Sequence, residues 1–130
     1  MNPTTKELAK HWVEQAMAFY KMSGEKIALA AFTDPAGMFV NGELYIYVLN
    51  PEGTMLAHGI SERFVGKEFI DLKDSDGKLF IKEIVDTAKA NGKGWIEYKW
   101  YHPVKKQWLP KTAYFEKIDN LIICSGVYAG

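Results

Sequence analysis

The chain has 130 residues, 48% of them apolar and 14% aromatic, and its sixteen Lys plus Arg are balanced by sixteen Asp plus Glu. That length fits one globular domain with its own core, and a formal charge of zero supplies no global field for nucleic acid or an anionic membrane. The single cysteine, Cys124, excludes an internal disulfide and, among apolar neighbours, reads as a small core residue.

In chain order, Leu8, Trp12, Ala16, Phe19 and Tyr20 recur at helical spacing from Thr4 to about Met22, with Thr4 or Thr5 placed to cap the first turn. Gly24 interrupts this helix, and EKIALAAF continues it to the turn signal Asp34-Pro35-Ala36-Gly37. The runs LYIYVLN at 44–50 and MLAHG at 55–59, joined by PEGT, predict a β-hairpin. After the irregular stretch SERFVGKEFIDLKD, a further helix is predicted from Lys78 to Ala90, with Phe80, Ile81, Ile84, Val85 and Ala88 on its apolar face, Asp76 as its cap and Gly92 as its stop. Strands follow at 94–102, 108–118 and 121–128, joined through PVKKQ and Asp119-Asn120. The expected architecture is an α+β domain with a five-stranded antiparallel sheet covered on one face. No window reaches the roughly 18 apolar residues that span a bilayer, and the start MNPTTKELAKHW lacks a signal-peptide pattern, so the chain reads as soluble.

The ordered segments LYIYVLNPEGTMLAHG, FVGKEFIDLKDSDGKLFIKEIV, GKGWIEYKW, PKTAYFEKID and IICSGVY resemble the successive signature segments of single Cache domains. The resemblance covers about Gly24 to Tyr128. It implies a PAS-like sheet (37–130) preceded by an N-terminal helical segment (1–36), together one sensor domain, with a small-molecule pocket and a role in chemoreceptors or histidine kinases. It also implies a periplasmic or extracellular position, against a cytoplasmic one if the chain is a complete protein beginning at Met1. Receptors of this type usually carry transmembrane helices, so this chain reads as the sensing part without its transmitter.

Seven residues are candidates for the pocket. Tyr45 and Tyr47 share one face of the first strand, where a solvent-facing aromatic pair is the competing explanation, and Ile96, Tyr98 and Trp100 share one face of the third, where plain core packing competes. Lys111, Ala113 and Phe115 share a face of the fourth strand, which sets an ammonium in line with apolar neighbours, a costly place unless it is paired or snorkels to water. Family resemblance pairs Lys111 with Tyr114 and adds His58, whose imidazole can donate to a carboxylate or serve as a structural hydrogen-bonder. A cation, an imidazole and phenol or indole donors in an apolar setting suit a small organic anion such as a short carboxylate.

Three other readings compete. An enzyme would use His58 with an acid, but the sequence has no persuasively spaced pair of carboxylates and Ser125 has no evident activator. A homodimer through the N-terminal helix would use Leu8, Trp12 and Phe19, if these are bare. Asp71, Asp74, Asp76, Gly77 and Glu83 echo part of a calcium loop, but its first ligand position falls on Leu72, which leaves a solvated loop and helix cap. No metal, nucleotide or haem motif is present, and no cofactor is expected.

Overall fold

A computed structural model describes residues 6–128. The elements are α1 (Lys6–Ser23), α2 (Glu25–Thr33), β1 (Tyr47–Leu49), β2 (Met55–His58), a 3-10 turn (Glu62–Phe64), α3 (Phe80–Asn91), β3 (Lys93–Tyr101), β4 (Trp108–Ile118) and β5 (Leu121–Tyr128). The strands form one antiparallel sheet in the order β2-β1-β5-β4-β3, so the fold is α+β, as expected. Thr4 and Thr5, the candidate caps of α1, lie outside the described residues.

The helical third forms as its spacing predicts, with Gly24 at φ 85 between α1 and α2. That left-handed backbone is open to glycine at little cost. Val13 and Ala16 of α1 and Ala28 and Phe32 of α2 pack on Ile46, Val48, Ala57, Tyr114, Leu121 and Ile123 of the sheet. Trp12 and Phe19 are half-buried against the same cluster, Leu8 is half-buried beside Ala9, Leu44 and Val127, and the Trp12 indole donates to Phe39 O at 2.8 Å. The apolar stripe of α1 thus serves its own chain, which removes the reason for a dimer built on Leu8, Trp12 and Phe19.

The expectation of one covered face is corrected. Phe80, Ile81, Ile84, Val85 and Ala88 of α3 pack on the opposite face, against Ile96, Tyr98, Phe115, Ile122 and Cys124. Burying each large aliphatic or aromatic side chain there is worth roughly 1.5–3 kcal/mol, enough to hold a twelve-residue helix on the sheet. β5 shows the consequence in its composition: LIICSGVY has little alternation because all eight residues are buried, the pattern of a strand covered on both sides.

The start of α3 also differs. The helix begins at Phe80 with Leu79 in the capping position, and Asp76 makes no capping bond. Asp74 is the organising acid: Oδ1 accepts the N–H of Asp76 and of Lys78, and Oδ2 accepts that of Lys99 on β3. An Asx-type turn therefore takes up the residues expected to open the helix. β3 is an edge strand, and Asp74 together with Lys78 Nζ, which donates to Glu97 O, covers two of its outward backbone groups. This loop therefore anchors one end of the segment that crosses the sheet between β2 and α3.

Desolvation works against the Asp74 carboxylate, but the backbone N–H groups of Lys99, Lys78 and Asp76 prevail and hold its pKa below the ordinary value. A depressed acid stabilises fully above the ordinary carboxyl range, near 4, and that contribution is lost as pH falls through the lowered value. Asp74→Ala should lower stability by about 1–3 kcal/mol at neutral pH. In urea titrations its deficit should narrow between about pH 5 and pH 2.

Candidate functional site

Sheet register brings the candidate residues together. β1 sets Tyr47 opposite His58 on one side and Cys124 on the other, while Lys111 of β4 faces Tyr98 of β3 and Tyr128 of β5. Because side chains alternate with a period of two, these residues emerge on the face covered by α3. Tyr45, just before β1, joins them, and its carbonyl accepts the Ser125 hydroxyl at 2.6 Å.

Lys111 is 1% exposed, and its Nζ donates to Tyr45 Oη at 2.9 Å. The same nitrogen lies 4.2 Å from the Tyr45 ring centroid, 5.1 Å from Tyr128, 5.3 Å from Tyr47 and 6.0 Å from Tyr98. Aromatic faces attract a cation, yet among the described residues no carboxylate comes within ion-pair distance of it. Gly126 makes this position available: a Cβ there would lie 2.8 Å from Lys111 Cε, so the lysine stem passes over a bare stretch of β5.

The polar atoms around this ammonium satisfy one another. Tyr47 Oη and Tyr98 Oη meet at 2.7 Å; one O–H makes that bond, so the second proton is available to another acceptor. Burial raises both phenols well above their ordinary pKa, outweighing the Tyr47 hydrogen bond that lowers that of Tyr98, so both stay protonated. Burial likewise raises the Cys124 thiol and the Tyr128 phenol, and Tyr128 donates to Tyr101 O at 3.0 Å. No buried side-chain nitrogen or oxygen among the described residues lacks a partner.

His58 has a defined tautomer. Its Nδ1 accepts the backbone N–H of Ile60 at 3.2 Å and of Ser61 at 2.9 Å, so the proton of the neutral ring sits on Nε2. Burial, then the charge of Lys111, lowers its pKa to about 3. The expectation that His58 can pair as an imidazolium is corrected to a neutral Nε2–H donor, and its bonds run to backbone amides, which leaves the acid–base arrangement of an enzyme without support.

Tyr45, Tyr47, His58, Tyr98 and Trp100 line an inner chamber, closed by Met55, Phe69, Leu72, Phe80 and Ile81. Its free space is about 10 Å³, room for one water. Two larger hollows adjoin it. One, of about 420 Å³, shares Tyr45, His58 and Trp100 with the chamber and has Arg63 and Phe64 in its wall. The other, of about 430 Å³, shares Phe69, Leu72 and Trp100. Tyr45 and His58 thus adjoin the first hollow and not the second, Phe69 and Leu72 the second and not the first, and Trp100 both. Lys111 lies one layer behind, reaching the chamber through Tyr45.

Tyr114 is placed elsewhere, and its grouping with Lys111 is corrected: three residues along a strand is an odd step, so its ring lies on the α1 face, 4.9 Å from Trp95, with its hydroxyl donating to Glu116. Sequence reasoning passed over Tyr128, although the two-residue turn at Asp119-Asn120 implies the register that sets it opposite Lys111. It also passed over the walls Phe64, Phe69 and Leu72, which lie in an aperiodic stretch with no face to read.

The family model described as Single Cache domain 2 matches residues 5–130. A sensor histidine kinase, MctS of Rhizobium johnstonii, is 33% identical over 86 residues, which is 65% of this chain and 18% of that protein. Among solved structures, a methyl-accepting chemotaxis protein from Vibrio parahaemolyticus superposes with a TM-score of 0.82 at 22% identity, covering 95% of this chain and 87% of that one. The structure described as "Structural basis for carboxylic acid recognition by a Cache chemosensory domain" superposes equally well, TM-score 0.82 at 24% identity, over 95% of this chain and 92% of that one. A periplasmic sensor domain of a chemotaxis protein reaches 0.73 at 26% identity, over 95% and 90%. With the ordered sequence segments, the five-stranded sheet and the family match in agreement, this chain belongs to the single Cache domain family of sensor domains.

Proposed function

We propose that residues 1–130 act as one sensor unit whose inner chamber binds a small organic anion, a short carboxylate, and that a further part of a longer receptor or kinase transmits the signal. The observation that carries this reading is Lys111, a buried ammonium whose hydrogen-bond acceptor is a phenol and which has no carboxylate counter-ion among the described residues. An uncompensated buried charge costs several kcal/mol. An arriving carboxylate would supply the missing charge. It would find the Tyr47–Tyr98 phenol pair and the Nε2–H of His58 in the chamber wall, donors that need no proton movement.

The remainder of the chamber favours one charged end and one apolar end. Met55, Leu72, Phe80 and Ile81 offer no side-chain hydrogen-bonding group beyond a thioether. A second carboxylate or an ammonium placed against them would be desolvated without a partner. The related Cache domain described for carboxylic acid recognition supports the same ligand class. A periplasmic or extracellular position follows from the sensor family and is part of the proposal.

Acetate or propionate added at about 100 times its Kd should stabilise the protein by about 2.7 kcal/mol, read as a rise in melting temperature, whereas lysine or choline should give none. Lys111→Met keeps the stem and removes the charge, so the purified variant should fold and lose the carboxylate shift. No shift with any short anion, or an undiminished shift in Lys111→Met, would sink the proposal.

His58 makes a separate prediction about pH. Since its folded pKa is about 3, the ring stays neutral from pH 5 to 8, and carboxylate affinity should be flat across that range by calorimetry. Its effect on stability has the opposite character: the unfolded ring binds a proton near pH 6.5, so stability is present above that value and is lost as pH falls from about 6.5 towards 3. His58→Asn should flatten that slope in denaturant titrations.

A further inference from the structure

We infer that Leu72 sets the chain length of the bound acid, by closing the apolar end of the chamber against the larger hollow beyond it. The inference rests on the carboxylate reading of the chamber. Tyr45 and His58 line the first hollow and not the second, while Phe69 and Leu72 line the second and not the first, so a carboxylate held by those donors leaves its tail towards Leu72. Phe69, Leu72 and Trp100 line both the chamber and the hollow of about 430 Å³, and Trp100 lines the first hollow as well.

The three partition residues are not equally fixed. Trp100 is part of β3 and sits 5.5 Å from Phe80, 5.9 Å from Trp108 and 6.2 Å from Phe64. Phe69 packs edge-on against Phe64 at 5.4 Å, and its N–H is bonded to Gly53 O. Leu72 has neither a strand nor a ring to hold it. It is half-buried, lies between the Phe69 anchor and the Asp74 turn, and its N–H turns back to Phe69 O at 3.0 Å. It is the smallest of the three side chains and the one whose truncation joins the two spaces directly.

Two consequences follow for ligand choice. In the native protein the chamber's free space is about 10 Å³, room for one water, so any bound acid must move its wall, and with the partition closed the shortest acids ask for the least displacement. Beyond Leu72 the wall continues as Phe64, Trp100 and Trp108, an apolar bed for further methylenes. Each methylene buried there should improve binding about fourfold once the way is open.

The test is calorimetry on the full chain with the straight-chain series from acetate to octanoate, comparing wild type, Leu72→Ala and Leu72→Phe, with thermal melts to establish that each variant is folded. Wild type should bind acetate and propionate best and lose at least about tenfold by hexanoate. Leu72→Ala should hold acetate within about threefold and move the optimum at least two carbons longer, gaining about fourfold per carbon up to it. Leu72→Phe, which should restrict the range towards acetate, provides the answer in the opposite direction if the truncated variant does not fold. An unmoved optimum in both variants while short acids still bind, or a wild type that binds hexanoate as tightly as propionate, overturns the role of Leu72 and leaves the carboxylate reading standing. Failure of the folded wild type to bind any member of the series overturns both.

Discussion

A lysine ammonium buried to 1% exposure without a carboxylate partner is the constraint around which this sheet is arranged. Removing such a charge from water costs several kcal/mol even after relaxation, and the surroundings offset that cost in two ways. Four tyrosine rings within 6.0 Å present their negative faces, and the Tyr45 oxygen accepts one of the three N–H bonds. The strands supply those rings from both neighbours of β4, from β1 and from the segment leading into it, and Gly126 keeps the intervening position on β5 bare. An arrangement of rings without an anion tolerates the charge and leaves it the strongest unfilled electrostatic demand in the core.

The same network holds the chamber wall through bonds within the chain. Tyr47 and Tyr98 bond to each other, Tyr128 bonds to the backbone of Tyr101, and His58 bonds to two amides. Every one of these groups is satisfied, so the fold does not depend on a ligand to complete it. In the chamber wall the histidine Nε2–H and the phenol pair face a carboxylate as donors.

Much of this was legible in the sequence because short turns and strict alternation fix β register. The three C-terminal strands lie within a residue of their expected positions, and alternation alone sets Tyr98, Trp100 and Lys111 on one face. Where the reading followed a family spacing against that alternation, as with Tyr114, the structure puts the side chain on the other face. The start of α3 was misread for a local reason: Asp76 and Asp74 are both capable of turning the chain, and only the fold shows that Asp74 has the third N–H of Lys99 to win the competition. Coverage of the second sheet face was visible in the unbroken apolar run of β5, a signal outweighed by the alternation of the strands around it.

The crossing between β2 and α3 resists sequence reading most, because its shape is imposed by backbone bonds to other segments: Met55 N–H to Lys67 O, Gly66 N–H to Met55 O and Phe69 N–H to Gly53 O. Side chains clamp its two ends, His58 at Ile60 and Ser61, and Asp74 at Asp76, Lys78 and Lys99. His58 is therefore both a wall of the chamber and the latch of the segment carrying Phe64, which packs edge-on against it at 5.1 Å. A protonated ring would forfeit both amide bonds as it gained a charge beside Lys111. Neutrality of His58 and closure of the chamber are in this way one condition, set by the same buried ammonium that makes the chamber attractive to an anion.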